Sequence, residues 1–290
     1  MSNIINEGKD LEIKKDKLKT KKKIYKLVIL LVILLTPIFI LLCMTDNKTL
    51  EFTKYDINHN ENDETITVMQ LSDMHFPKCK VNTDLIIDRL EEENVDIVAI
   101  TGDFIDGSAK VENCGVIPFI EKLSKFPNVY FVSGNHELAN SEYDKLRESL
   151  ISNNIKILDN TFNEITFKNK NISIMGLIDN YDYYTKYFKG LDSSSYKILL
   201  AHRPEKFNVY VSSIHKFNPD LILSGHAHGG QIRFGDWSLI APNQGFNPEY
   251  TSGIYSCHNM HMIVSRGIGN SILPWRINNK PEVPLIRIKL

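Results

Sequence analysis

The sequence predicts an α/β sandwich in one domain, preceded by a single membrane-spanning helix, and three observations predict it. From Thr65 onward, short apolar runs rich in Ile and Val alternate with amphipathic stretches of helical length. Five of those runs are followed at once by an Asp, Asn or His side chain. Near the N-terminus, Leu27 to Met44 reads as 18 residues without a charge.

Taken from the start, residues 1–26 form a basic tail with nine lysines against four acids, +5, which leaves −6 for the rest of a chain whose total is −1. A negative main domain argues against a nucleic-acid-binding surface spread over it. Residues 27–44 come close to the ~20 apolar residues a helix needs to cross a hydrocarbon core. A buried core helix would not be apolar on every face, and a cleaved signal peptide would have a shorter run and a small-x-small site after it. Leu42 stands where a lipoprotein signal would have a small residue before Cys43. Thr36-Pro37 predicts a kink in the span. The lysines on its N-terminal side place the tail in the cytoplasm and the main domain outside. Cys79, Cys114 and Cys257 are too far apart in the chain to make a disulfide framework.

Residues 45–64 read as a polar linker with one edge strand, Leu50 to Ile57, followed by a solvated loop containing His59. Residues 65–290 are the domain proper, and the chain's 42% apolar and 24% charged residues are ordinary for a globular protein. Buried strands are predicted at Ile66–Leu71, Ile97–Ile100, Val129–Val132, Ile172–Met175, Ile198–Leu200, Leu221–Leu223 and Met262–Val264. Helices are predicted at Thr83–Asn94 and Ser141–Ser152. Closely spaced strands near Ile157, Phe162–Phe167 and Ile172 predict a second, more antiparallel sheet.

The polar residues fall at the strand ends. Ile66–Leu71 is followed by Asp73 and His75; Ile97–Ile100 by Asp103; Val129–Val132 by Asn135 and His136; Ile198–Leu200 by His202; and Leu221–Leu223 by Gly225-His226-Ala227-His228-Gly229-Gly230. Ligands bind at the carboxyl ends of strands in open α/β sheets, so five such ends converge on one cleft. Two imidazoles one residue apart, on backbone made permissive by glycine, can each offer a lone pair to a transition metal. The set contains no cysteine, which excludes a thiolate-rich zinc site; mixed carboxylate, amide and imidazole donors suit Mn²⁺, Fe or Zn²⁺.

The series Asp73-x-His75, Gly102-Asp103, Gly134-Asn135-His136-Glu137, His202 and Gly225-His226-x-His228 resembles, complete and in order, the motif set of the calcineurin-like metallophosphoesterases. The resemblance implies a four-layer α-β-β-α sandwich and a two-metal centre. Asp73, His75, Asp103 and His228 would hold one ion, and Asp103, Asn135, His202 and His226 the other, with Asp103 bridging. The anchor, Gly229-Gly230-Gln231, Ser265-Arg266-Gly267-x-Gly269 and Pro281-Glu282 look like the membrane-associated bacterial branch. Its members include phosphodiesterases and enzymes cleaving the pyrophosphate of UDP-linked diacylated glucosamine.

The expected chemistry is direct attack on phosphorus by a hydroxide formed from water bridging two divalent ions, Mn²⁺ foremost. His136 is expected, by resemblance, to give a proton or hydrogen bond to the leaving oxygen. Glu137 would orient His136 or a ligand, or else lie on the surface. Asp106 reads as a loop or supporting carboxylate. Related phosphoprotein phosphatases carry an arginine where this chain has Gly107, which counts against a protein substrate. Arg203, Arg233 and, best placed, Arg266 are candidates to pair with a substrate phosphate. Tyr181, Tyr183, Tyr184, Tyr187 and Phe188 form an aromatic cluster suited to capping the cleft, touching the membrane or packing as a helix. His258 and His261 read as structural. The leading expectation is a tethered hydrolase of phosphodiester or pyrophosphate bonds, with a lipid-linked or envelope-precursor substrate. A phosphomonoesterase and a non-catalytic metal-binding envelope protein stay open beside it.

Overall fold

The computed structural model describes residues 2–46, 48–58, 64–179, 187–192, 194–213, 218–270 and 274–290. The chain divides into two compact units, residues 1–45 and 46–290. The first is a helix, α1 (Ser2–Asp46), that continues through Pro37. Within it Lys17–Leu41 contains an 18-residue window of mean hydropathy 2.7 with no buried surface. Eighteen helical residues reach about 27 Å, close to a hydrocarbon core of ~30 Å.

The second unit runs β1 (Glu51–Asn58), β2 (Thr65–Leu71), α2 (Asp84–Glu92), β3 (Ile97–Thr101), α3 (Val116–Leu123), β4 (Val129–Val132), α4 (Asn135–Ala139), α5 (Tyr143–Ser152) and β5 (Lys156–Ile157). It continues with β6 (Thr161–Phe167), β7 (Lys170–Leu177), β8 (Tyr196–Ala201), α6 (Phe207–Ser213) and β9 (Leu221–Ser224). Two short hairpins follow, β10 (Arg233–Phe234) with β11 (Trp237–Ser238) and β12 (Ile240–Ala241) with β13 (Gly245–Phe246). The last strands are β14 (Gly253–Cys257), β15 (Met260–Val264) and β16 (Glu282–Lys289).

Two six-stranded sheets result, ordered β1-β16-β2-β3-β4-β5 and β14-β15-β9-β8-β7-β6. Their central strands are apolar on both faces, as burial between two layers requires. On β2, Ile66 and Val68 join the core between the sheets, while Met69 and Leu71 face Ile86 and Leu90 of α2 and the residues of α3 and α5. On the far side of the second sheet, Leu199, Ile222 and Met262 pack with Phe207 and Tyr210 of α6. The layers are therefore helix, sheet, sheet, helix. Fully burying one such aliphatic side chain is worth about 1.5–3 kcal/mol.

Two expectations are corrected. The second sheet is parallel at its centre, β7, β8, β9 and β15 running together, and antiparallel only where β6 and β14 close its edges. Strand β1 is also more than part of a linker. It pairs with the C-terminal β16 over its whole length, so the folded unit begins there and not at Thr65. Gln70 is the one polar side chain that β2 turns into the space between the sheets. Its amide donates to Thr101 Oγ1 at 3.0 Å and to Ser224 O at 2.9 Å, tying β2, β3 and β9 together just below their carboxyl ends.

Candidate metal centre

The parallel strands β2, β3, β4, β8 and β9 all end on one side of the sandwich, and the loops leaving them are stitched to one another. Asp73 N–H donates to Gly102 O at 3.0 Å, His75 N–H to Asp103 O at 2.9 Å, and Gly225 N–H to His202 O at 3.0 Å. Close approach dictates the glycines: a Cβ on Gly225 would lie 2.3 Å from Asp73 Oδ2, and one on Gly134 equally close to Asp103 Oδ1. Five side chains of the motif set sit on left-handed backbone, Asp73, His75, Asp103, His226 and His228, with φ between 48° and 64°. Such conformations cost about 1–3 kcal/mol each in non-glycine residues and persist where surrounding bonds impose them, most often at functional sites.

Asp73, His75 and His228 place their ligand atoms within 4.8 Å of one another, and so do Asp103, His202 and His226; at the border His75, Asp106 and His136 form a third such group. Asp103 Oδ2 lies 3.7 Å from His75 Nε2 and 3.2 Å from His202 Nε2, between the groups. The Nε2 atoms of His75 and His228 face each other at 3.1 Å, and His226 Nδ1 faces His202 Nε2 at 3.2 Å. Asn135 Oδ1 is buried beside Asp103's partner His136 without a hydrogen-bond partner among the described residues. Ring nitrogens facing one another, two buried carboxylates and an orphaned amide oxygen are what a pair of divalent cations would satisfy. The donor set fits the expected ions.

Burial sets the charge states. It lowers His75 to about 3 and His226 to about 2, and drives His228 well below its ordinary value, so these rings stay neutral with lone pairs available. It raises the Asp73 carboxyl. Burial would also raise Asp103 and lower His202, but each is the other's nearest opposite charge, and the pair holds Asp103 low and lifts His202 to about 10.

Supporting bonds fix the orientation of these groups. His202 Nδ1 lies 2.8 Å from Thr101 O, which directs Nε2 into the cluster. Asp73 accepts from Ser72 Oγ at 2.6 Å and from the His226 N–H at 3.0 Å. Glu137 is fully buried, which removes its surface reading. Its carboxylate accepts from the backbone N–H groups of Asp103 and Gly134 at 2.8 Å and Ile105 at 2.9 Å, bracing the two loops that carry Asp103 and Asn135. Burial, then the neighbouring Asp103, push it up to about 8.

His136 borders the cluster, its ring 4.4 Å from that of His75 and its Nε2 3.9 Å from Asp103 Oδ2. The Gly107 N–H donates to its Nδ1 at 2.9 Å, so the ring proton of the neutral form sits on Nε2 and faces the cluster. Asp106 Oδ2 lies 3.5 Å from the same Nδ1 and accepts from Lys78 at 2.6 Å.

The three candidate arginines are otherwise engaged. Arg203 forms a two-pronged pair with Asp179 at 2.6 and 2.7 Å. Arg233 is buried against Gly229 O and Thr251. Arg266 meets Glu282 at 3.1 Å and Glu51 at 2.8 Å, pairings that occupy the guanidinium and count against its meeting a substrate phosphate. Its stretch backs the site in another way: Ile268 N–H and Gly269 N–H donate to Ser72 O and Asp73 O.

Arg276 had no signal in the sequence. It is wholly buried, donates to Gly269 O and Arg266 O, and lies 3.4 Å from His228 Nδ1. Of the aromatic cluster, Phe188 is buried against the second sheet, whereas Tyr181, Tyr183 and Tyr184, like His59, lie outside the described residues. His261 bonds Ser256 and His258 contacts Cys257, both at the β14–β15 hairpin.

A family profile described as calcineurin-like phosphoesterase matches residues 66–230. Among curated relatives, the uncharacterized metallophosphoesterase YkoQ of Bacillus subtilis is 26% identical over 230 residues, covering 77% of this chain and 83% of its own. An uncharacterized metallophosphoesterase of Campylobacter jejuni, Cj0846, is 29% identical, covering 93% of this chain and 72% of its own. Phosphodiesterase YaeI of Escherichia coli is 24% identical, covering 79% and 84%.

Proposed function

This chain belongs to the calcineurin-like phosphoesterase family, and from that premise we propose that it is a membrane-anchored hydrolase of phosphodiester or pyrophosphate bonds that works with two divalent metal ions. The observation that carries the reading is the convergence of Asp73, His75, Asp103, His202, His226 and His228 at the ends of four strands. Asp73, His75, His228 and Asp103 would hold one ion; Asp103, Asn135, His202 and His226 would hold the other. When bound, two such ions supply a water of lowered pKa and neutralise charge on phosphoryl oxygens.

The chain's own groups do the rest. The neutral imidazoles and Asp103 keep the donor atoms in register. Glu137 holds the Asp103 and Asn135 loops at a fixed separation. His136 presents its Nε2–H toward the cluster and gives a hydrogen bond to the leaving oxygen as charge develops there and the ester bond breaks.

The diester assignment is supported by the Escherichia coli relative, which is named a phosphodiesterase. Anchoring is supported by the uncharged run from Leu27 to Met44 within α1, and a cytoplasmic N-terminus by the lysines before it. A tethered site meets lipid-linked or envelope-precursor phosphoesters at little diffusional cost, which makes them the favoured substrates. Turnover of bis(p-nitrophenyl) phosphate against p-nitrophenyl phosphate, with Mn²⁺ present, tests the reading. The diester should be preferred; preference for the monoester overturns the assignment.

A further inference from the structure

The rim of the site carries a surface that this chemistry does not use. Directly after the His228 turn come the hairpins β10–β11 and β12–β13, and both are rooted in the site. Arg233 donates to Gly229 O at 3.0 Å, and Asn243, in the turn of the second hairpin, lies 3.2 Å from His226 Nε2. Their outward side chains are large and apolar: Phe234 is 63%, Trp237 44% and Phe246 77% exposed. The Phe234 and Trp237 rings lie 5.8 Å apart. Grouped exposed aromatics beside a polar cleft mark a surface that meets something other than water.

The chain also enters the folded unit at this end. Strand β1 runs parallel to β16 and therefore antiparallel to β2, so Glu51 lies at the end where β2 delivers Asp73. Glu51 pairs with Arg266, and a Cβ on Gly229 would be 2.9 Å from Arg266 Cγ, so the entry point adjoins the His228 turn. Helix α1 ends at Asp46. Only residues 47 to 50 separate α1 from β1 in the chain, so the apolar helix precedes the folded unit at the same end as the hairpins.

We propose that the two hairpins dock on the lipid bilayer, seating Phe234, Trp237 and Phe246 among the headgroups and turning the catalytic mouth toward phosphoesters of the same leaflet. The proposal rests on the reading of α1 as a membrane anchor. Phe and Trp on short turns suit the interface, where an apolar ring body and a polar edge are both accommodated.

The test uses the full chain in vesicles of brominated phosphatidylcholine and phosphatidylglycerol. The chain should float with the vesicles, its tryptophan emission should be quenched, and Trp237→Phe should lose most of the quenched signal, leaving Trp275. A double variant, Phe234→Ser with Phe246→Ser, should weaken the quenching while turnover of soluble bis(p-nitrophenyl) phosphate holds. Flotation with an unquenched Trp237 overturns the docking and leaves the anchor standing, and points to a protein partner for the rings. A chain that does not float overturns both.

Discussion

Removing the Glu137 carboxylate should loosen the metal site from behind. In Glu137→Ala, the N–H groups of Asp103, Gly134 and Ile105 lose their acceptor while staying buried. Each unsatisfied group costs about 1–3 kcal/mol. Partial relaxation and water entry recover some of this, so a net loss of roughly 3–6 kcal/mol is expected, near the upper end for a single substitution. Glu137→Gln keeps one acceptor oxygen. Turned to serve the Asp103 and Gly134 N–H pair, its amide opposes the Ile105 N–H, at a cost of about 1–3 kcal/mol. Because the braced loops carry Asp103 and Asn135, metal affinity should fall roughly 10- to 100-fold. Urea unfolding of the full chain in detergent, alongside Mn²⁺ titration calorimetry, measures both. Alanine should cost more than glutamine in each. A Glu137→Ala protein within about 0.5 kcal/mol of wild type and with native metal affinity refutes the brace, since changes that small are those of ordinary surface sites.

Two further outcomes follow from the same geometry. His136→Ala should keep both metal ions and lose roughly 10²–10⁴-fold in kcat, with the loss smallest for esters of good leaving groups, which need little help from a hydrogen-bond donor; equal losses across a leaving-group series would remove the role of the His136 Nε2–H at the leaving oxygen. Asp106 is held down to about 2, because Lys78 and the Ser108 hydroxyl and N–H outweigh the opposing effect of burial. A carboxyl whose folded pKa lies below its unfolded ~3.9 contributes stability that is present above that value and lost as the pH falls through the folded one. The stability gap between wild type and Asp106→Asn should therefore be full above pH ~4 and shrink toward pH ~2, measured by urea unfolding. A gap independent of pH would mean the carboxylate's charge is not what matters.

The site was far more legible in the sequence than its supports. Each central strand is buried on both faces, so it reads as a short apolar run with a sharp end, and the ligand follows within a few residues, as with Leu71 and Asp73 or Ser224 and His226. The partners across the site are not local. Arg276 reaches His228 only because the chain folds back after β15, and the pairing of β1 with β16 joins the two ends of the domain. Nothing in a local window marks such contacts. Spacing does not decide whether Glu137 faces solvent or three backbone donors; burial does. Helix α3 is only eight residues long, too short for its apolar spacing to stand out, although Val116, Phe119, Ile120 and Leu123 are buried against the first sheet. The hairpins after His228 were invisible because two-residue strands carry no periodicity.

Metal content and turnover of Asp103→Asn test the central claim most directly, since Asp103 Oδ2 stands between both ligand groups. Elemental analysis of wild type should find two divalent ions per chain, with turnover of a phosphodiester. The asparagine variant should lose at least one ion and all detectable turnover. Wild-type turnover from an Asp103→Asn protein carrying two ions would contradict the shared-ligand centre.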